Sequence, residues 1–135
     1  METTPLGSGL KQVLIIDDDK TVLALTARML HQAGFDVLTA NGGDEGLRIF
    51  QEHPDTIRAV LVDMTMPQMN GEQTCAELRR IRRDIPVVIS SGYCESDFAD
   101  HLKNAGSIRF IQKPYRGCDL VGTFEEVLRS GDEVA

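Results

Sequence analysis

Five short apolar runs govern what this chain can fold into: QVLII (12–16), FDVLTA (35–40), RAVLV (58–62), PVVIS (86–90) and IRFIQ (108–112). Each is short for a helix, and those apolar along nearly their whole length, not at alternate positions, read as strands covered on both faces. Helical spacing fills the gaps between them. Val22, Leu25, Met29 and Leu30 recur over 20–33, and Gly34 stands where that helix should stop. Leu47 and Phe50 share a face over 44–52, closed by Pro54, and Cys75, Leu78 and Ile81 share one over 72–83. Phe98 and Leu102 mark a weaker helix over 95–104, while Leu120, Val121, Phe124, Val127 and Leu128 form a full stripe over 117–129. Alternating strands and helices predict an α/β fold, (βα)5, and right-handed crossovers make it an open, doubly wound parallel sheet.

Such sheets bind their ligands outside the carboxyl ends of the strands. Asp17 and Asp18 end the first strand, Asp63 the third, Ser91 the fourth and Lys113 the fifth. Carboxylates gathered so closely need a cation, or some must hold protons. An all-oxygen site of carboxylates, a backbone carbonyl and water suits Mg²⁺, which also holds phosphate oxygens. The plainer alternative treats Asp17, Asp18 and Asp19 as a polar turn that caps the next helix.

The 135 residues fit one domain, expected over 11–130, after a disordered leader or cloning remnant over 1–10 and before a frayed tail over 131–135. A net charge of -7 argues against direct nucleic-acid binding and against attraction to anionic lipid. No apolar run approaches the length needed to cross a bilayer, and no secretory signal is visible. Cys75, Cys94 and Cys118 are odd in number and lack C-x-x-C spacing, as expected of free thiols in a cytoplasmic protein. Cys94 reads as a bystander thiol, and Arg79–Arg83 (RRIRR) as a solvated helix end whose cations suit the dipole. Met64, Met66 and Met69 read as packing filler. His31, His53 and His101 have no metal-ligand spacing.

Taken together, LIIDDD, LVDMTMPQMNG, VVISSG and FIQKPY resemble, in order and spacing, the receiver domain of bacterial two-component response regulators, over residues 11–130. The resemblance implies the flavodoxin-like sheet with strand order 2-1-3-4-5. It implies acceptance of a phosphoryl group from the phosphohistidine of a sensor histidine kinase or histidine phosphotransfer protein. Carried onto this chain, Asp63 is the phosphoacceptor, Asp18 a direct Mg²⁺ ligand, Asp17 a ligand largely through water, and the Thr65 carbonyl a further ligand. Lys113 pairs with the phosphoryl oxygens, Ser91 hydrogen-bonds them, and the Lys113–Pro114 bond is cis. Ser91 and Phe110 form the switch. The surface of the 95–104 helix, the 108–112 strand and the last helix changes on phosphorylation and offers a homodimer contact. Pro67 and Gly71 shape the loop after Asp63, with Gly71 expected to supply backbone angles closed to other residues.

Two departures stand out. The switch residue is Ser91 where the family more often has threonine, which loosens coupling. Tyr93, two residues on, is expected to join Thr65 in controlling the access of hydrolytic water. The wording SSGY…FIQKPY looks most like receivers at the C-terminus of hybrid sensor kinases, against a stand-alone regulator. Two rivals remain at this stage. IIDDDKT also fits the D-x-D-x-T pattern of haloacid-dehalogenase-type phosphohydrolases, with Asp17 as nucleophile and Asp19 as acid/base, although no later acidic pair follows Lys113. The other is a pure interaction module that takes no phosphate.

Overall fold

The computed structural model describes residues 11–92 and 108–134. Its elements are β1 (Gln12–Ile16), α1 (Lys20–Gln32), β2 (Asp36–Ala40), α2 (Gly43–Glu52), β3 (Ile57–Asp63), α3 (Gly71–Ile81), β4 (Val87–Ser91), β5 (Ile108–Gln112) and α4 (Gly117–Val134). The strands form one five-stranded sheet in the order β2-β1-β3-β4-β5, parallel at every pairing. The expected helix over 95–104, with Tyr93, Cys94 and His101, lies outside the described residues.

Two cores explain the apolar runs of the inner strands β1, β3 and β4, while the edge strands β2 and β5 carry polar residues and are only partly buried. Along β1, Val13 and Ile15 pack with Leu23 and Leu30 of α1 and Leu120 and Phe124 of α4. Leu14 and Ile16 pack on the other face with Phe50 of α2 and Cys75 and Leu78 of α3. Successive strand side chains point to opposite faces, so a strand sandwiched between helices must be apolar at every position. Each such buried side chain contributes roughly 1.5–3 kcal/mol over its exposed state. Phe35, entering β2, adds a tilted ring contact with Phe124 at a centroid distance of 5.8 Å.

Several local expectations change. On α1 the buried face is Leu23, Thr26 and Leu30, with Met29 packed against it, so Leu30 and Met29 face inward as expected while Leu25 is 51% exposed. Apolar residues at 22, 23, 25, 29 and 30 cover more than one face of a helix, and spacing alone does not choose between them. Helix α3 ends at Ile81, two residues early, because Arg82 leaves it to donate to the Ile57 carbonyl at 2.7 Å and the Pro54 carbonyl at 3.3 Å. The basic run is therefore only partly a solvated helix end: Arg80 pairs with Glu77 at the surface at 3.6 Å, while Arg82 bolts α3 to the start of β3. Helix α4 continues to Val134, beyond the expected 129, since no proline interrupts it and one glycine costs a helix only about 1 kcal/mol.

The two punctuating glycines serve different ends. Gly34 has φ 98°, in the left-handed region expected after a helix. Gly71 does not: among the described residues only Gly34 is a glycine in the left-handed region, which corrects the expectation of special backbone angles. Gly71 is needed because α3 begins against β3, where a Cβ would lie 2.7 Å from Met64 Cα and 2.8 Å from the Asp63 carbonyl oxygen. Gly34→Ala, with open space around it, should cost about 1 kcal/mol through backbone strain alone. Gly71→Ala must push rigid backbone apart and should cost about 3 kcal/mol. Urea midpoints of the two variants check the ranking; equal losses would contradict the tight approach of α3 to β3.

Candidate functional site

The period of two along each strand sets up the site. Asp17, Asp63 and Lys113 continue in step with Val13 and Ile15, Ala59 and Leu61, and Ile111, all on the α1–α4 face. The strand tips are held by backbone bonds: Asp17 N–H to the Ala40 carbonyl (3.1 Å), Met64 N–H to Ser90 (2.8 Å) and Lys113 N–H to Ser91 (2.8 Å). From β5 the Lys113 side chain reaches across β4, placing Nζ 3.0 Å from Asp63 Oδ1 and 3.3 Å from Asp17 Oδ2. The other Asp17 oxygen accepts the Asp19 backbone N–H at 2.9 Å. Asp17 and Asp63 are almost fully buried and Asp18 is exposed, yet one oxygen from each lies within 4.8 Å of the others.

One ammonium thus serves two buried carboxylates with a third beside them. Burial is the largest influence on Asp63 and pushes its carboxyl above the ordinary value; the negative charge of Asp17 adds to this. The Lys113 hydrogen bond and charge and a Thr65 backbone N–H hold it back. For Lys113, burial alone would favour the neutral amine, but the hydrogen bond and charge of Asp63 and the charge of Asp17 outweigh it and raise its pKa. The cluster keeps an excess of negative charge that no protein cation among the described residues offsets at close range.

The acidic triplet divides. Asp19 is the N-cap of α1, accepting from Thr21 N–H at 3.0 Å and Val22 N–H at 3.2 Å, while Asp17 and Asp18 belong to the cluster. The capping alternative therefore holds for Asp19 alone. The same capping bonds disfavour the hydrolase reading, which assigns Asp19 to proton transfer.

The remaining expected residues fall as follows. Ser91 is buried at the end of β4, opposite Gln112, with its carbonyl engaged by Lys113. Phe110 is half-buried, opposite Ile89, and packs on the α2–α3 core. Thr65 and Pro67 are exposed in the loop after Asp63, and that loop closes through Gly71 N–H to the Met64 carbonyl at 2.9 Å and a capping box at Asn70 and Gln73. The Lys113–Pro114 bond is cis, as expected. Met64 and Met66 are core residues, so the filler reading holds for them. Cys75 is buried and Cys118 exposed; His31 lies in the last turn of α1 and His53 caps the end of α2.

Sequence reading missed one feature. Thr26 Oγ1 and the Tyr115 hydroxyl share a hydrogen bond of 2.9 Å, either able to donate. Beside it an apolar groove of about 410 Å³ runs between Leu25 and Met29 of α1 and Pro114 and Tyr115, with Lys113 in its wall. The available signal was a hydroxyl on a helix face otherwise apolar, which must find a partner once buried.

Comparison with known proteins agrees with this geometry. The model of the response regulator receiver domain matches residues 13–125. Sensor kinase CckA of Brucella abortus is 34% identical over 125 residues, covering 93% of this chain and 13% of the kinase. The transcriptional regulatory protein PrrA of Mycobacterium tuberculosis is 35% identical over 119 residues, covering 87% of this chain and 50% of the regulator. The chain thus spans about half the length of such regulators and a small part of the kinase. A receiver domain protein from Clostridium thermocellum superimposes with a TM-score of 0.87 at 31% identity, over 93% of this chain and 100% of that one. Sheet order, acidic cluster and family match coincide over the same residues, and the chain belongs to the response regulator receiver domains of two-component signalling.

Proposed function

We propose that Asp63 accepts the phosphoryl group, taken from the phosphohistidine of a sensor histidine kinase or histidine phosphotransfer protein. The observation that carries this reading is the Lys113 ammonium 3.0 Å from Asp63 Oδ1, inside a cluster of three carboxylates at the carboxyl edge of a parallel sheet. An ionised Asp63 oxygen attacks phosphorus as the phosphorus–nitrogen bond breaks, and the leaving imidazole nitrogen keeps the electron pair and takes a proton from solvent. Lys113 turns its charge onto the phosphoryl oxygens and the Ser91 hydroxyl donates to them, while backbone N–H groups such as that of Thr65 line the loop.

The donor set fits Mg²⁺: every ligand is oxygen, and the cluster holds more negative charge than Lys113 offsets. Asp18 and Asp63 with the Thr65 carbonyl would hold the ion directly and Asp17 largely through water. Bound there, it neutralises charge on the phosphoryl oxygens. Movement of Ser91 toward the new charge and inward rotation of Phe110 behind it would carry the signal to the 95–129 surface, where a second copy can dock. Its half-buried position gives Phe110 room to be such a switch. Tyr93, with Thr65, would limit hydrolytic water and lengthen the phosphorylated state. The likeness to sensor kinase CckA supports a place as the receiver of a hybrid kinase.

Acetyl phosphate with Mg²⁺ should label the chain on Asp63, read by borohydride trapping and peptide mass spectrometry. Chelation or Asp63→Asn should abolish the label. Label on Asp17 would point to a hydrolase, and no label to an interaction module. Tyr93→Ala should shorten the phosphoryl lifetime severalfold by phosphate release, and an unchanged rate would remove Tyr93 from the mechanism.

The charge excess also makes a prediction for stability. The folded pKa of Asp63 lies above its ordinary 3.8. Its protonated form therefore favours the fold, a contribution present below 3.8 and lost as pH rises through the higher folded value. In metal-free buffer Asp63→Asn should be more stable than the parent at neutral pH, with the gap closing as pH falls toward 3.8. Thermal melts across pH check this; a variant less stable at neutral pH would contradict the charge imbalance.

A further inference from the structure

Lys113 must stay extended across β4 to meet both carboxylates, and its own strand holds it on one side only. Its N–H is fixed to the Ser91 carbonyl at 2.8 Å. The next residue, Pro114, has no N–H to donate, and α4 begins only at Gly117. Among the bonds described for this turn, the next after Lys113 that reaches another element is the Tyr115 hydroxyl, 2.9 Å from Thr26 Oγ1. Thr26 is 1% exposed on α1, the helix whose N-cap is Asp19 and whose entry carries Asp17, one of the two carboxylates Lys113 bridges.

Packing alone does not require these hydroxyls. Phenylalanine and valine would fill the same space, and replacing both partners of a hydrogen bond by apolar groups of similar shape is nearly neutral for stability. What the pair supplies is direction: it fixes the turn after Lys113 relative to α1.

We propose that Thr26 and Tyr115 are positioning residues that hold the Lys113 ammonium between Asp17 and Asp63 and so set the rate of phosphoryl transfer, a role that rests on the reading of Asp63 as acceptor. Neither touches the reacting atoms. Both act through the turn that carries Lys113, and they tie its placement to the exposed groove side of α1.

The test is a cycle of Tyr115→Phe, Thr26→Val and the double variant, with Ile57→Val at the opposite end of β3 as a buried control. Labelling by acetyl phosphate with Mg²⁺ should slow roughly threefold to tenfold in each single variant, and the double should be no slower than the worse single. The ¹⁵N resonance of the Lys113 ammonium in the unphosphorylated chain should move in all three and stay in place in Ile57→Val. Parental labelling rates and an unmoved Lys113 resonance in the single variants would overturn the proposal, as would effects that multiply in the double. Should the parent itself take no label, the reading of Asp63 fails, and the Lys113 resonance alone decides whether the pair positions the lysine.

Discussion

The structure turns on one ammonium shared by two buried carboxylates. Lys113 lies 3.0 Å from Asp63 and 3.3 Å from Asp17, and each carboxylate comes from a different strand. Like charges this close are costly away from water, and one partner cannot satisfy three carboxylates. Such a cluster survives only where backbone N–H groups are free to help, as at the carboxyl ends of parallel strands, where chains turn into helices. The Asp19 N–H on Asp17 and the Thr65 N–H on Asp63 are that help. The strand order then decides which residue types go where. β1 and β3 are neighbours, so short aspartates on them meet directly. β5 lies two strands from β3, about 9.5 Å away, and a cation there must ride on a long stem.

The two cores divide the work of the sheet. The α2–α3 face takes Leu14, Ile16, Val60 and Val62, with Gly71 allowing α3 to begin hard against β3. The α1–α4 face takes Val13, Ile15, Ala59 and Leu61, and its parity delivers Asp17, Asp63 and Lys113 to one edge. A slip of one residue in any of these strands would turn its charged tip to the other face. The apolar runs therefore fix the aim of the polar residues that follow them as well as building the core.

This coupling explains what the sequence made legible. Five apolar runs, four of them leading into Asp17, Asp63, Ser91 and Lys113, were enough to place five parallel strands and point to their carboxyl ends. What stayed illegible is what residue type alone does not carry: the partner or the backbone setting of a side chain. Asp19 and Asp18 are chemically alike, and only the free N–H groups of Thr21 and Val22 make Asp19 a cap. Gly34 and Gly71 read alike as breakers, yet one needs its φ and the other needs the absence of a Cβ. Arg82 belongs to a basic run until the Ile57 carbonyl, 25 residues away, claims its guanidinium. Thr26 is an ordinary helix residue until Tyr115, 89 residues on, reaches its hydroxyl.

The same charge balance bears on how the tips respond as a unit. A phosphoryl group on Asp63 would replace one negative charge by nearly two in a place already short of cations. The larger charge would draw the Lys113 ammonium away from Asp17. The Lys113 backbone, however, is fixed to Ser91, and the Met64 N–H after Asp63 is fixed to Ser90. β3, β4 and β5 are therefore laced together at the edge where the charge would change. A shift at Asp63 reaches the β4 tip through these backbone hydrogen bonds. Strand tips tied in this way have few independent positions, and a displacement of one is passed to its neighbours.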